Sequence, residues 1–280
     1  MILFKKAEEI TRYILELKST GTEVGFVPTM GALHQGHLSL IEAAKKNNAV
    51  TVCSIFVNPT QFNNQDDFKH YPVTVEKDIE LLLTIGCDIL FLPSKEEIYP
   101  PGYMPKHYEL GKLENIFEGY FRPGHFQGVC QVVDRLLQIV QPNRLYMGAK
   151  DYQQCKVIAK LLAITGRDGQ VSLSIISTLR EADGLAMSSR NLRLDTEQRK
   201  LAPLIFQNLS FISDNRKNKT VSGLANQGKE NLEKNGFDVD YLTVVDADTL
   251  GEVNEQTKER IVLVAAAIGS IRLIDNLLLN

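Results

Sequence analysis

The first 180 residues alternate between two hydrophobic periods. Apolar positions recur at helical spacing between residues 10 and 17, Gly21 follows, and a continuous apolar run at residues 24–27 is typical of a buried strand. The alternation continues with helices predicted at residues 38–48, 74–86, 128–140 and 150–166 and strands predicted at residues 49–58, 88–93, 144–148 and 171–179. Strands that alternate with helices of these lengths predict an α/β fold with a doubly wound parallel sheet.

The pattern changes beyond residue 180. Two helical stretches are predicted in succession at residues 195–215 and 222–236, and strand-like stretches follow at residues 239–246 and 260–274. Helices followed by strands, without alternation, are typical of a small α+β domain. We therefore predict a larger domain over residues 1–180 and a smaller one over residues 181–280, joined by a polar segment where a ligand cleft can form.

The composition narrows the class of protein. Charged residues make up 23% of the 280 residues and the formal net charge is −3, so no basic excess favours nucleic acid as a partner. The four cysteines are widely spaced, without the CxxC pair of a zinc site, and reduced thiols in the cytoplasm fit this spacing. Lys5 and Lys6 follow only four residues and lead into an amphipathic helix, whereas a signal peptide has its charges before an apolar core. The longest apolar run, residues 261–269, is too short to cross a bilayer. These features predict a cytoplasmic protein that binds neither membrane nor nucleic acid.

Two histidines flank a glycine where the second helix is predicted to begin. His34 and His37 are three residues apart, so their side chains can point the same way from the carboxyl end of the preceding strand. The N–H groups and dipole of a helix N-terminus attract phosphate, and Gly36 leaves room for a nucleotide to approach. In the alternative interpretation, one histidine caps the helix and the other is a partly buried packing residue. The HxGH motif alone leaves both interpretations open.

A second strand-to-helix junction occurs at residues 148–154, with the sequence GAKDYQQ. Ligands of open α/β sheets bind outside the carboxyl ends of the strands, so Lys150 is expected to face the same cleft as the histidines and to neutralise phosphate charge. Alternatively, Asp151 is a helix N-cap and Lys150 is a solvated surface residue.

The polar segment at residues 180–191, READGLAMSSRN, is the third candidate. Ser188 and Ser189 supply hydroxyl groups, Arg190 supplies a guanidinium fork that matches a phosphate, and Gly184 allows the segment to bend over a ligand. The alternative is an exposed linker in which Ser-Ser-Arg has no functional role. Because one α/β topology would bring all three candidates together, their side chains together predict phosphate chemistry.

Seven segments occur in an order that resembles a known family. HxGH followed by a Ser-Arg loop is similar to the HxGH nucleotidyltransferase superfamily, whose members transfer adenylyl or cytidylyl groups. From about residue 24 to the end, the chain resembles the pantoate–beta-alanine ligases more closely. The segments that carry this resemblance are VPTMGALHQGHLSL, SIFVNPTQF, YPVTVEKD, RPGHFQGVCQVVDRLLQIVQP, GAKDYQQ, READGLAMSSRN and RLIDN.

The resemblance implies an ATP-dependent ligase that makes pantothenate, AMP and diphosphate from pantoate and beta-alanine, through pantoyl adenylate. No protein nucleophile is required, because the pantoate carboxylate attacks the α-phosphorus of ATP directly. The resemblance also implies a homodimer, a Rossmann-like catalytic domain over residues 1–180, a lid domain over residues 181–280 and a Mg²⁺ requirement.

The resemblance assigns roles to individual residues by position. The catalytic and phosphate-binding positions are His34, His37, Lys150, Ser188, Ser189 and Arg190. The other ATP-binding positions are Met30, Gly36, Gly148, Asp151, Leu179 and Met187. The pantoate-binding positions are Met30, Gln61, Val132, Val133 and Gln154, and the position near Mg²⁺ is Asp78. Without the resemblance, Gln61 and Gln154 are equally well explained as surface polar residues.

Three other functions share part of this evidence. A coenzyme adenylyltransferase would have the same HxGH and phosphate-binding residues but would need no amine substrate. A tRNA synthetase would need a basic anticodon-binding region, which this mildly acidic sequence does not show. A nucleotide sensor would bind ATP without turnover.

Residues 60–72, TQFNNQDDFKHYP, are the least regular part of the larger domain. They have too little apolar periodicity for a core element, and we expect a polar, mobile loop there.

Overall fold

A computed structural model of the chain describes residues 1–63, 65–218 and 220–279, the side chain of residue 65 excepted. These residues form two compact units. The first comprises residues 1–149 and 153–177, and the second comprises residues 150–152 and the chain from residue 178 onward. Lys150 thus belongs to the second unit, although the sequence-based boundary after residue 180 would place it in the first. The boundary after residue 180 stays a prediction.

Strands and helices follow one another along the first unit. Its strands are β1 (Ile2–Phe4), β2 (Val24–Thr29), β3 (Val50–Ile55), β4 (Ile89–Phe91), β5 (Arg144–Gly148) and β6 (Ser172–Ile176). Its α-helices are α1 (Ala7–Ser19), α2 (Gln35–Asn47), α3 (Gln65–Lys69), α4 (Val75–Ile85), α5 (Lys95–Ile98), α6 (Glu118–Phe121), α7 (His125–Val140) and α8 (Tyr152–Ile164). Short 3-10 helices cover Pro59–Gln61, Gly111–Glu114 and Ala149–Asp151. None of the helices within the described residues is both long and apolar enough to span a bilayer.

The six strands form one parallel sheet in the order β1-β4-β3-β2-β5-β6. This arrangement confirms the predicted doubly wound sheet. The chain leaves β2 through β3 and β4 on one side and through β5 and β6 on the other, so the strand order reverses between β2 and β5. Ligands of open α/β sheets bind at the carboxyl ends of the strands beside such a reversal. These ends are Thr29 of β2, just before the histidine segment, and Gly148 of β5.

Buried apolar clusters cover both faces of this sheet. Phe26 of β2 lies in a cluster with residues of α1, α7 and α8, whereas Val27 lies in a cluster with residues of α2 and α4. Successive side chains of a strand point to opposite faces, so these two neighbours show that helices pack on each side. A parallel sheet covered on both faces accounts for the continuous apolar runs of its central strands.

Strand β1 lies at the edge of the sheet and is not indicated by the hydrophobic pattern. Three residues are too few to display a period, and two lysines follow them at once. Ile2, Leu3 and Phe4 pair with Ile89, Leu90 and Phe91 of β4. Tertiary pairing, not local preference, therefore decides the conformation of these residues.

The segment at residues 60–72 differs from the polar loop that the sequence predicts, as far as it is described; residue 64 lies outside the described residues. Its middle forms the one-turn helix α3, and Phe62 and Tyr71 are buried. The Phe62 ring lies 5.2 Å from that of Phe68 and 5.7 Å from that of Tyr71, between ring centroids. Irregularly spaced aromatic residues thus pack on one another in a segment whose hydrophobic pattern does not predict a core element.

The second unit is built on an antiparallel sheet. Its strands, in the order β7-β8-β9, are β7 (Phe237–Asp246), β8 (Arg260–Ile268) and β9 (Ile271–Leu279). Its helices are α9 (Thr196–Leu201), α10 (Leu204–Asn215) and α11 (Val221–Lys234). Apolar residues of α10 and α11 share a buried cluster with residues of all three strands. This confirms the predicted smaller α+β domain.

Two elements predicted in this unit are divided in the structure. Residues 260–274 form a hairpin instead of one strand, because Gly269 turns the chain with a φ of 57°, which glycine adopts without a side-chain penalty. The helix predicted at residues 195–215 is broken between α9 and α10 at Pro203, which lacks the N–H that would continue α9.

Candidate active site

The residues after β2 form a tight turn that leads into α2. Thr29 donates its hydroxyl hydrogen to the carbonyl oxygen of Ser54 (2.7 Å) and accepts from the N–H of Gly31 (3.2 Å). Gly31 and Ala32 have positive φ angles of 81° and 48°. A positive φ is unfavourable for a residue with a Cβ, so contacts from elsewhere must hold Ala32 in this conformation.

Asp78 of α4 supplies those contacts. Its Oδ2 accepts from the N–H of Ala32 (2.9 Å), and its Oδ1 accepts from the N–H of Leu33 (2.8 Å) and from the hydroxyl of Thr74 (3.1 Å). The residue is only 1% exposed. Both oxygens of this buried carboxylate thus hold the backbone of the turn. The assignment of Asp78 to a position near magnesium stays a prediction.

Replacing Asp78 with alanine is expected to lower the free energy of unfolding by about 2–5 kcal/mol, because two buried N–H groups lose their acceptor. Urea unfolding measures this change. Lys77→Ala, on the exposed side of α4, is the control and should stay within about 0.5 kcal/mol of the unaltered protein. Unchanged stability together with a higher Mg²⁺ requirement in Asp78→Ala would favour the assignment of Asp78 to magnesium over the role in the turn.

Both histidines of the HxGH motif take part in the cap of α2. Nδ1 of His34 accepts from the N–H of Gly36 (3.1 Å), and Nδ1 of His37 accepts from the N–H of His34 (3.4 Å). The two rings are close, with centroids 4.1 Å apart and planes inclined by 37°. The capping role that was one of the two alternatives is therefore present, and both imidazoles share it.

This cap also fixes which ring nitrogen carries the hydrogen. An Nδ1 atom that accepts a hydrogen bond has no hydrogen of its own, so in each neutral ring the hydrogen lies on Nε2. Nε2–H is a donor suited to a phosphate oxygen. Capping and phosphate binding use different atoms of the same side chain and do not compete.

The structure brings two predicted pantoate positions together. Gln61 ends the 3-10 helix Pro59–Gln61, and its Nε2 donates to the sulfur of Met30 (2.8 Å). The amide of Asn58 donates to Oε1 of Gln61 (3.2 Å), and Nδ1–H of His125 donates to its carbonyl oxygen (2.8 Å). Asn58 is 1% exposed and His125 is 5% exposed. Both side chains hold Gln61 in place and have no role in the sequence-based assignment.

Gly128 of α7 allows this 3-10 helix to lie directly on α7. A Cβ at Gly128 would overlap the carbonyl group of Thr60. The carbonyl oxygen of Gly128 accepts from the amide of Asn58 (3.1 Å). The absence of a side chain at Gly128 thus sets the position of the segment that ends in Gln61.

Gly128→Ala is expected to raise the KM for pantoate by about 10- to 100-fold, because a shift of the Gln61 segment by about 1 Å is enough for such a loss. Steady-state kinetics with pantoate and ATP varied in turn measure the effect, and the KM for ATP should change much less. Gly169→Ala is the control, since a Cβ there meets no atom within 4 Å. An equal rise in both KM values would contradict the specific role of this contact.

The remaining substrate positions of the first unit lie on α7 and α8. Val132 and Val133 are buried, at 6% and 5% exposure, in the apolar cluster that includes α7. Gln154 is partly exposed. Gln153, which the sequence does not single out, is buried and bonds the N–H of Glu118 (3.0 Å) and two carbonyl groups of the preceding segment. Gln153 therefore has a structural role, and the assignment of Gln154 and the valines to pantoate stays a prediction.

In the second unit, Lys150 is held at the backbone and largely covered. Its carbonyl oxygen accepts from the side-chain amide of Asn276 (2.9 Å), and its Nζ lies 3.9 Å from Oδ2 of Asp151. The Lys150 side chain is 17% exposed. This burial does not favour the solvated surface lysine that was the alternative interpretation.

The Ser188–Arg190 segment is also held by hydrogen bonds. Ser188 caps the 3-10 helix Ser189–Arg193 by accepting from the N–H of Arg190 (3.2 Å). The N–H of Met187 donates to the carbonyl of Leu179 (3.0 Å), which joins two predicted ATP positions through their backbones. Ser189 is buried. This order does not fit an exposed linker without structure, and the functional role of Ser188, Ser189 and Arg190 stays a prediction.

No metal cluster is found among the described residues, and two of the buried thiols have strongly raised pKa values. No group of three or more His, Cys, Asp or Glu side chains in the described part of the chain is placed to hold a metal ion. All four cysteines are buried, and burial raises the pKa of Cys87 to about 11 and that of Cys130 to about 12. These two thiols stay protonated at neutral pH and do not provide a nucleophile.

Comparisons of the sequence and of the structure with known proteins all lead to the same family. The sequence matches the family model of pantoate-beta-alanine ligase over residues 2–278. It is 44% identical over 285 residues to the pantothenate synthetase of Cytophaga hutchinsonii, which covers 100% of this chain and 99% of that protein. It is 41% identical over 283 residues to the pantothenate synthetase of Aquifex aeolicus, with 98% of each covered.

Solved structures show the same likeness. The pantothenate synthetase of Thermus thermophilus matches with a TM-score of 0.92 and 40% identity, covering 99% of both chains. The pantoate-beta-alanine ligase of Francisella tularensis, solved as a complex with beta-gamma ATP and beta-alanine, matches with a TM-score of 0.84 and 37% identity. That match covers 99% of this chain and 97% of the other.

Proposed function

The chain belongs to the pantoate–beta-alanine ligase family, and from this membership we propose how its residues join pantoate to beta-alanine with consumption of ATP. The products are pantothenate, AMP and diphosphate, and pantoyl adenylate is the intermediate. The cap of α2 is the observation that carries the proposal, because both Nδ1 atoms accept in it, which places the hydrogen of each neutral ring on Nε2, and because it follows the carboxyl end of β2, beside the reversal of strand order.

The first step activates the carboxylate. A carboxylate oxygen of pantoate attacks the α-phosphorus of ATP, the bond from that phosphorus to the bridging oxygen breaks, and diphosphate leaves with its electron pair. In the second step, the amine of beta-alanine attacks the acyl carbon, the bond to AMP breaks and the amine loses a proton. Positioning of the substrates and neutralisation of phosphate charge accelerate both steps.

The phosphate-binding roles follow the chemistry of each side chain. His34 and His37 donate Nε2–H to phosphate oxygens, which is compatible with the cap because the cap uses their Nδ1 atoms. Lys150 and Arg190 neutralise charge on the triphosphate and on the departing diphosphate. The hydroxyls of Ser188 and Ser189 add neutral donors to the same oxygens.

The pantoate site is proposed around the Gln61–Met30 contact. Pantoate is a small acid with two hydroxyls, and an amide can both donate to and accept from such groups. Gln61 and Gln154 take this role, while Met30 and the valines of α7 supply the apolar wall. Around the adenosine we propose Met30, Gly36, Gly148, Asp151, Leu179 and Met187.

We propose that ATP binds together with Mg²⁺. The ion binds through phosphate oxygens and water with few protein ligands, so it does not require a carboxylate cluster. It would neutralise phosphate charge, and the residue roles above do not depend on it. We also propose, from the family, a homodimer, a reaction in the cytoplasm and a lid function for residues 181–280.

Exchange of labelled pyrophosphate into ATP tests the proposal. The reaction contains pantoate and Mg²⁺ but no beta-alanine, so only the first step and its reversal are measured. We expect exchange that depends on pantoate. Folded protein that binds ATP without such exchange would contradict the stepwise reaction and would favour a nucleotide sensor, whereas exchange with a phosphorylated coenzyme precursor in place of pantoate would favour an adenylyltransferase.

A further inference from the structure

The RLIDN segment, residues 272–276, has no role in the reaction as described so far. It lies in β9, where buried and more exposed residues alternate up to Asp275. Asp275 and Asn276 break this alternation, because they are adjacent and both buried, at 4% and 8% exposure. Neighbouring side chains of a strand point to opposite faces, and buried polar groups need hydrogen-bond partners. These two residues therefore engage partners on both faces of β9.

Asp275 forms a paired contact with Arg180. Its two carboxylate oxygens accept from the two terminal nitrogens of the guanidinium, at 2.6 and 3.0 Å. The same guanidinium donates to the carbonyl oxygens of Gly184 (3.2 Å) and Asn276 (3.2 Å), and lies 3.8 Å from the ring centroid of Phe206. A fork held by two carboxylate bonds, two carbonyl bonds and an aromatic face has little freedom to move.

From Arg180 the contacts continue to the phosphate-binding segment. The backbone of Arg180 pairs with that of Ala186 in an antiparallel bridge. The carbonyl of Ala186 accepts from the side-chain amide of Asn191 (3.0 Å), which lies in the 3-10 helix that contains Arg190. Asp275 is thus linked, through a short series of bonds, to the helix that presents Arg190.

Asn276 holds the other phosphate-binding residue of this unit. Its side-chain amide donates to the carbonyl oxygen of Lys150 (2.9 Å), and its own N–H donates to Oδ1 of Asp275 (2.8 Å). Two consecutive residues of β9 therefore bind the backbone of Lys150 on one side and the anchor of the Ser188–Arg190 segment on the other.

We propose that Asp275 and Asn276 are positioning residues that hold Lys150 and Arg190 in a fixed relation for binding the triphosphate. Two cations repel each other, so placing both against one polyphosphate requires that the protein prearranges them. This inference rests on the phosphate-binding roles proposed for Lys150 and Arg190.

The electrostatics of Asp275 support this role. Burial raises the pKa of its carboxyl group, and hydrogen bonds from Arg180 and the charge of Lys150 act against that rise. The buried carboxylate is therefore stabilised by Arg180, which it anchors, and by Lys150, one of the two cations that it helps to place.

Asn276→Ala in the full chain tests the proposal, because it removes the donor to Lys150 and leaves Lys150 itself intact. Two partial reactions are compared: pantoate-dependent pyrophosphate exchange, and the reaction of synthetic pantoyl adenylate with beta-alanine. We expect kcat/KM for ATP in the exchange to fall about 10- to 100-fold, the size of loss that a 1 Å misplacement causes. The amine step, which involves no triphosphate, should change less than about threefold.

Arg180→Lys tests the contact between Asp275 and Arg180, since a lysine keeps the positive charge but cannot form the paired hydrogen bonds. We expect Arg180→Lys to slow the pyrophosphate exchange and to leave the amine step nearly unchanged, as for Asn276→Ala. If Asn276→Ala does not fold, Arg180→Lys decides the test. Asp240→Asn is the matched control, because it weakens a different ion pair that involves β9. In that pair Asp240 of β7 accepts from Arg272 of β9 (2.6 Å). Both partial reactions should be unchanged in this control.

Equal losses in the two partial reactions would overturn the positioning role, since a general structural defect does not distinguish them. Unchanged exchange in folded Asn276→Ala and Arg180→Lys would overturn it as well. Failure of the proposed function is a different result, in which the unaltered protein itself shows no pantoate-dependent exchange.

Discussion

His34→Ala is expected to lower pantoate-dependent pyrophosphate exchange by about 100- to 1,000-fold, the usual loss when one prearranged donor to a developing charge is removed. In the proposed site the imidazole donates Nε2–H to phosphate, while its Nδ1 accepts from the N–H of Gly36. Removing the ring would then remove a donor to the reacting phosphate. Exchange rates at saturating and subsaturating ATP measure the loss in kcat and in kcat/KM.

Alanine also removes the cap of α2, and His34→Asn separates the two effects. Asparagine is among the best N-cap residues, whereas alanine at an N-cap costs about 0.5–2 kcal/mol of stability. We expect the alanine and asparagine variants to lose similar exchange activity, with lower stability in the alanine variant alone. Near-normal exchange in His34→Asn would show that capping is the whole contribution of this side chain.

Lys150→Met is expected to cause a loss of similar size, about 100- to 1,000-fold in exchange, because it removes the positive charge that we propose neutralises the departing diphosphate and keeps most of the apolar stem. The Lys150 side chain is 17% exposed, so its charge is screened less by solvent than that of a surface lysine. The measurement is again pantoate-dependent exchange, followed by ATP binding to the variant.

Lys160→Met is the matched control for this charge change, since Lys160 is an exposed residue of α8. It should retain full exchange. Lys150→Arg is expected to recover only part of the activity, because a guanidinium fork does not replace a compact ammonium group. Normal exchange and normal ATP affinity in folded Lys150→Met would remove this lysine from the reaction.

The hydrophobic pattern was sufficient for the central fold and failed at its edges. Long periodic runs predict the parallel sheet, because strands buried on both faces must be apolar throughout. Strand β1 and the hairpin of β8 and β9 were missed for different reasons. The first is three residues long and depends on pairing with β4, and the second is an apolar run whose reversal depends on the φ angle of one glycine.

The candidate site was partly predictable in the same way. HxGH identifies His34 and His37 by spacing, and in the structure the centroids of their rings lie 4.1 Å apart. Asp78 illustrates the opposite case, since an acidic residue suggests a metal, whereas its oxygens bind the backbone of a turn 46 residues earlier. Such long-range partners leave no local trace in the sequence. The adjacent polar pair in RLIDNLLL is an exception, because two polar neighbours in an apolar strand are a visible signal of buried contacts.

The bond from Asn276 to Lys150 joins residues separated by 126 positions. During synthesis, the histidines, Lys150 and the Ser188–Arg190 segment all leave the ribosome before β9 does. A nascent chain that stops short of β9 would contain every side chain that we propose binds phosphate and still lack the residue whose amide bonds the backbone of Lys150. Competence for catalysis would then be acquired late, and a ribosome-stalled chain should gain exchange activity only once residue 276 has emerged from the exit tunnel.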